Sequence, residues 1–133
     1  MRSVFSLAPS EAALAGEALL LVPFAAASSR LVRLPRAVSI MCRLARCLPI
    51  SPRAGDQETA RIVNGATSRV GARCLTRALV LHAVLSRAGV PSQVVVGASS
   101  RGGQLRSHAW VEQDGESLLG STAGWTAMWR SAS

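Results

Sequence analysis

Lysine and tyrosine are missing from this chain altogether: its fifteen basic residues are all arginine, and its aromatic set is three Trp and two Phe. Only seven carboxylates oppose the arginines, which leaves a formal charge of +8. With 49% of its residues apolar, the chain is neither disordered nor an acidic soluble module. The exclusive use of arginine reads first as genome composition rather than as selection for bidentate chemistry. The charge itself predicts attraction to acidic partners, whether a peptide, a protein face, nucleic acid or a membrane surface, without choosing among them.

Cysteine and histidine are also scarce. Cys42, Cys47 and Cys74 form an odd set with no CxxC spacing, and His82 and His108 lie far apart, so the chain carries neither a zinc pattern nor a disulfide framework. No metal and no cofactor are expected. Thiols without partners favour a reducing compartment, and the expected location is the cytoplasm. A length of 133 residues fits one domain, residues 1–133, whose single core buries roughly two-thirds of the unfolded surface.

The stretch AALAGEALLLVPFAAASS near the N-terminus is apolar and ends in small residues, as a signal peptide would, but Glu17 and Pro23 interrupt it. Its uninterrupted run is too short to span a bilayer, and arginines follow it as well as precede it. A core helix is the better reading, capped by Ser10, with Glu11 in its first turn and its end near Pro23. From Ser28 to Leu48, arginines and apolar residues alternate at helical spacing, with Pro35 as a break. This is an amphipathic basic helix that buries one face, or docks a partner or a membrane surface. Cys42 and Cys47 lie on it or beside it as core or half-buried thiols. PISPRAGDQ reads as a linker, and Asp56 caps a helix running to about Ser68, with Asn64-Gly65 as a possible early stop.

The second half carries the chemistry. CLTRALVLHAVLSRAGVP predicts a helix that starts at Cys74, is apolar nearly all round and stops at Gly89 before Pro91. A strand over Gln93–Gly97 follows, then a turn at 101–103, then a strand through RSHAWVEQ with His108, Trp110 and Glu112 on one face and Ala109 and Val111 on the other. Gln113-Asp114-Gly115 makes a hairpin turn that returns the chain through Glu116–Ser121. The expectation is α+β: a helical N-terminal half, a buried helix bearing a cysteine, and about three antiparallel strands bearing a histidine.

Cys74 falls in the first turn of its helix, where free N–H groups favour a thiolate, and Arg73 adds positive charge. It suits a nucleophile better than Cys42 or Cys47, although a small buried residue is the plain alternative. His108 could supply the base, a pairing that recurs in cysteine proteases, or be a satisfied core histidine. His82 sits roughly 12 Å of helix rise from Cys74 and reads as core.

Taken together, CLTRALVLHAVLSRAGVPSQVVVGA and SHAWVEQDG resemble the transglutaminase-like cysteine proteases of lasso-peptide biosynthesis, which are leader peptidases. Members show a similar C-L-x-R-x-L helix, a G-[IV]-P step, a strand ending in Gly, and H-A-W-V-E-x-D-G. The match covers roughly residues 72 to 120; the helical half agrees only in general character. The resemblance implies a papain/transglutaminase-like core, Cys74 as nucleophile and His108 as general base and acid. It implies removal of the leader segment from a ribosomally made precursor, which frees the core peptide for a separate macrolactam cyclase. Residues 56–133 would be the catalytic core and residues 1–55 a basic, helical part for partner docking. The length leaves no room for a leader-recognition domain, so a separate recognition protein is an expected partner beside the precursor peptide. No nucleic-acid partner is expected, and contact with a membrane surface stays open. Trp110 is a candidate to cover the imidazole and contact substrate, or to pack.

The family's third residue, an Asp opposite the histidine, has no plain counterpart. A three-residue loop with Gly115 left-handed pairs His108 with Gly120, beside Ser121. Asp114, the candidate third catalytic residue, belongs to the turn, roughly 20 Å along an extended strand from His108, and Glu112 is about 13 Å away. Either the hairpin is bulged, or Ser121 or a backbone carbonyl orients the ring. An acyl transferase on the same Cys-His core and a non-catalytic peptide-binding relative are the alternative functions.

Overall fold

The computed structural model describes residues 9–47, 56–100, 103–118 and 124–131. Four helices come first: α1 (Pro9–Leu31), α2 (Leu34–Arg46), α3 (Asp56–Arg69) and α4 (Cys74–Arg87). Four strands follow: β1 (Gln93–Ser99), β2 (Arg106–Gln113), β3 (Glu116–Ser117) and β4 (Thr126–Arg130). They form one antiparallel sheet in the order β3-β2-β1-β4. The fold is α+β. Most of the linker segment, with residues 48–55, lies outside the described residues.

α1 does not end near Pro23 but continues to Leu31. A proline inside a helix costs about 3 kcal/mol, because it forfeits one hydrogen bond and crowds the preceding turn. Pro23 is exposed, whereas Leu14, Ala15, Ala18, Leu21 and Ala25 are buried along one stripe. Burying Leu14 and Leu21 alone contributes roughly 3 to 6 kcal/mol, so packing against α2, α3 and α4 outweighs the proline. Because the helix runs through, its window Leu14–Leu31 is long and apolar enough to cross a membrane by length and composition, which the interrupted sequence run did not suggest. A core helix passes the same test, and this window holds Glu17, buried and ion-paired with Arg87 of α4.

The basic helical stretch 28–48 is divided where a break was expected, between the end of α1 at Leu31 and the start of α2 at Leu34. Pro35 marks that break by standing in the first turn of α2, where a missing N–H costs nothing. α2 buries Ala37, Val38, Met41 and Ala45 and exposes Arg36, Arg43 and Arg46. Cys42 is half-buried, while Cys47, expected at least half-buried, is exposed. In α3, Asn64-Gly65 is no stop; both residues lie within the helix.

α4 is the central helix. Every residue from Ala78 to Leu85 is buried, among them His82, which shares a 2.8 Å hydrogen bond with Ser92 Oγ. Across it, α1, α2 and α3 pack from the helical half and β1 and β2 from the sheet. Val94, Ala109 and Val111 complete the core on that side.

The hairpin between β2 and β3 differs from the expected three-residue loop. Gln113 pairs with Glu116 and Glu112 with Ser117, so the loop is the dipeptide Asp114-Gly115, with φ of 53° and 81°. Two left-handed residues make the tight turn whose twist matches that of the strands, and Asp-Gly suits it. Gly120 and Ser121 lie outside the described residues. β4, a short alternation of exposed and half-buried residues, is a fourth strand beyond the three expected.

Candidate active site

Cys74 opens α4, and the chain enters that helix through Arg73 in an extended conformation (φ −69°, ψ 159°). Arg73 makes no side-chain capping bond, and no acidic residue lies in the first turn. The first N–H groups of a helix have no partner within it, so this end presents uncapped donors and positive potential beside the thiol. Cys74 is half-buried and not in a disulfide.

His108 stands on β2, opposite Gly97 of β1. Its ring stacks on Trp110 at a centroid distance of 5.8 Å and is tilted against Trp125 at 5.2 Å. Burial lowers its proton affinity below the usual histidine value of 6.5, and the nearby Arg77 guanidinium lowers it further. The ring is therefore neutral near pH 7 and able to accept a proton.

Trp110 is fixed in turn. Its Nε1–H donates to Glu112 Oε2 at 2.8 Å, and Arg130 of β4 pairs with the other oxygen of that buried carboxylate. The indole lies over Gly97, where an added Cβ would come within 2.7 Å of Cζ3 and 3.0 Å of the Thr126 carbonyl oxygen. Glycine is what lets the indole approach the strand this closely beside His108. Glu112 thus acts on the histidine's surroundings through Trp110, which explains a carboxylate on that face too far away to touch the imidazole.

Cys74, His108 and Trp110 line one cleft of about 130 Å³, together with Asn64, Arg77 and Ser117 and an apolar wall that includes Leu81 and Leu118. Asp114 is not among its lining residues; it is exposed at the hairpin turn and borders a different hollow with Gln57 and Glu58. Cys42 and His82 line a separate groove beside α2. Asn64, Arg77 and Trp125 were not singled out from the sequence. Arg77 lies one turn after Cys74, a spacing that puts both on one helix face and could have flagged it; Asn64 and Trp125 arrive from other elements and carry no local signal. Among the described residues, no group of three or more His, Cys, Asp and Glu side chains could hold a metal ion.

This arrangement can support attack on a carbonyl: a sulfur nucleophile, a neutral imidazole in the same cleft, and uncapped N–H groups able to receive a developing oxyanion. Comparison with curated proteins and with solved structures returned no match. A family model described as the transglutaminase-like superfamily matches residues 18–130, nearly the whole chain and both halves of the fold. That superfamily includes cysteine proteases and acyltransferases built on a catalytic cysteine, and the chain belongs to it.

Proposed function

We propose that the chain is a cysteine peptidase that removes the leader from a ribosomally made lasso-peptide precursor. The observation that carries the peptidase reading is the shared cleft of Cys74, at an uncapped helix start, and the neutral His108. The lasso-peptide assignment is supported by the joined motifs around Cys74 and His108, CLTRAL and HAWVEQDG.

In this reaction His108 takes the proton of the Cys74 thiol as sulfur bonds to the scissile carbonyl carbon. The carbonyl oxygen becomes an oxyanion received by N–H groups at the start of α4. Collapse of this intermediate breaks the C–N bond, and His108 returns its proton to the departing amine, the N-terminus of the core peptide. Water then attacks the thioester, gives a proton to His108, and releases the leader with a new carboxylate and Cys74 as thiol. With an amine in place of water, the same thioester would give acyl transfer, the second reading the superfamily supports. A separate leader-recognition protein presents the precursor, a cyclase takes the product, and the setting is cytoplasmic. The exposed arginines of α2 are the surface offered to that partner.

The test is mass spectrometry of a precursor peptide incubated with this chain, with and without the recognition protein. Cleavage is expected with wild type, accelerated by the recognition protein, lost in Cys74→Ala and mostly retained in Cys42→Ala and Cys47→Ala. Cleavage by Cys74→Ala at the wild-type rate removes the assignment of the nucleophile.

A further inference from the structure

Among the residues lining the Cys74–His108 cleft, Arg77 carries the only permanent charge, and no carboxylate lines the cleft beside it. Its Nη1 donates to Asn64 Oδ1 at 3.4 Å, a long bond, and its buried Nε has no hydrogen-bond acceptor. A guanidinium cannot shed its proton, so one that is half-buried with a shielded Nε favours an anionic or strongly accepting partner. Arg77 is half-buried, and among the described residues no carboxylate meets it, whereas Arg87, with its side chain 10% exposed, pairs with Glu17. The open space is about 130 Å³, four or so water volumes at roughly 30 Å³ each, enough for a carboxylate-bearing side chain. Arg77 also follows Cys74 by one helical turn, on the same face.

We propose that Arg77, steadied by Asn64, binds a carboxylate of the substrate, so that the cleft selects an acidic side chain close to the bond that Cys74 attacks. The position relative to a scissile bond rests on the peptidase reading; the binding of a carboxylate does not. A planar guanidinium meets a carboxylate through two parallel N–H donors, which a lysine or a neutral amide could not reproduce. A bound carboxylate also changes the surroundings of His108, which lines the same cleft as Cys74 and Arg77 of α4 and has its ring against those of Trp110 and Trp125. Because Arg77 holds down the proton affinity of His108, neutralising it raises that affinity when substrate arrives and eases transfer of the thiol proton.

The experiment uses the full chain carrying Cys74→Ala, so that no turnover is needed. Its His108 ring resonances are followed by NMR against three probes: acetyl-glutamate methylamide, acetyl-glutamine methylamide, and acetyl-alanine with a free carboxyl terminus. The expected result is saturable binding of the glutamate probe, at least about tenfold tighter than the glutamine probe, with an upward shift in the His108 titration. In Cys74→Ala/Arg77→Met that preference disappears. Equal binding of the two amides, no binding of either, or a preference that survives Arg77→Met overturns the proposal. Tighter binding of the acetyl-alanine probe than of the glutamate probe overturns the side-chain assignment in favour of a terminal carboxylate. Should Arg77→Met unfold, Asn64→Ala gives the second reading: the preference is expected to narrow, and an unchanged ratio counts against the pair. Peptide cleavage that persists with no such preference leaves the peptidase reading standing and removes only this one.

Discussion

The ring of His108 is in contact with two indoles, and each keeps water from part of it. Because burial first and Arg77 second lower its proton affinity, the ring stays neutral, and competent as a base, to a pH below 6.5. The acid limb of kcat/KM in the free enzyme is therefore expected below pH 6.5, and Trp125→Ala, by admitting water, should move it up toward that value. A pH–rate profile of both proteins checks this. Glu112 offers a second prediction. Glu112→Ala leaves the Trp110 N–H without its acceptor and Arg130 without its counter-ion, and should cost about 1 to 3 kcal/mol in urea denaturation, with a fall in kcat as His108 loses its wall. Glu112→Gln keeps an oxygen for the indole and should retain most of kcat. The places of Cys74 at a helix start and His108 on a strand were legible in the sequence because their neighbours form local motifs. Asn64 and Trp125 were not, because only tertiary packing brings α3 to the cleft and Trp125 against His108; Arg77, one turn after Cys74 on the same helix, carried a local signal that went unread. Asp114 was readable as a turn residue, and the turn is where it stays.

At the scale of elements, Pro23 was the misleading signal. Pro23 reads as a terminator yet lies inside α1 on its exposed side, whereas Pro35 reads as a break and stands just past one, in the first turn of α2. A local rule prices only the lost hydrogen bond; the buried stripe of α1 that outweighs it belongs to contacts with three other helices. Pro23→Ala should therefore raise stability, by about 1 to 3 kcal/mol, because the ring is exposed and contributes little packing. A thermal or urea unfolding curve decides, and a loss of stability would mean that the proline bend is needed to seat α1. The boundaries of α4 and β1 were legible to within a residue or two, since Cys74 follows a chain entering extended, and Gly89 and Pro91 close the helix. β4 was not, because five residues of short alternation after a hairpin carry little signal by themselves.

Over the whole molecule, the helical half wraps α4 from one side and the sheet closes the other, so the start of α4 is held in a fixed place at the mouth of the cleft. The α+β class was visible in the order of segments, helical periods first and alternating strands after. How the basic helices pack was not, since their arginines mark only which side faces water. The exposed cationic face of α2 and the carboxylate-poor cleft give one chain two places suited to acidic groups, one on the surface and one beside Cys74 and His108. Whether that chemistry is hydrolysis through Cys74 is tested most directly by cleavage in water enriched in heavy oxygen. A precursor peptide is incubated with the recognition protein and either wild type or Cys74→Ala, and the fragments are weighed. Hydrolysis through Cys74 predicts heavy oxygen in the new carboxyl terminus of the leader fragment, fragment masses that sum to precursor plus water, and no cleavage with Cys74→Ala. A leader fragment that carries an amine and no heavy oxygen, or equal cleavage by both proteins, contradicts it.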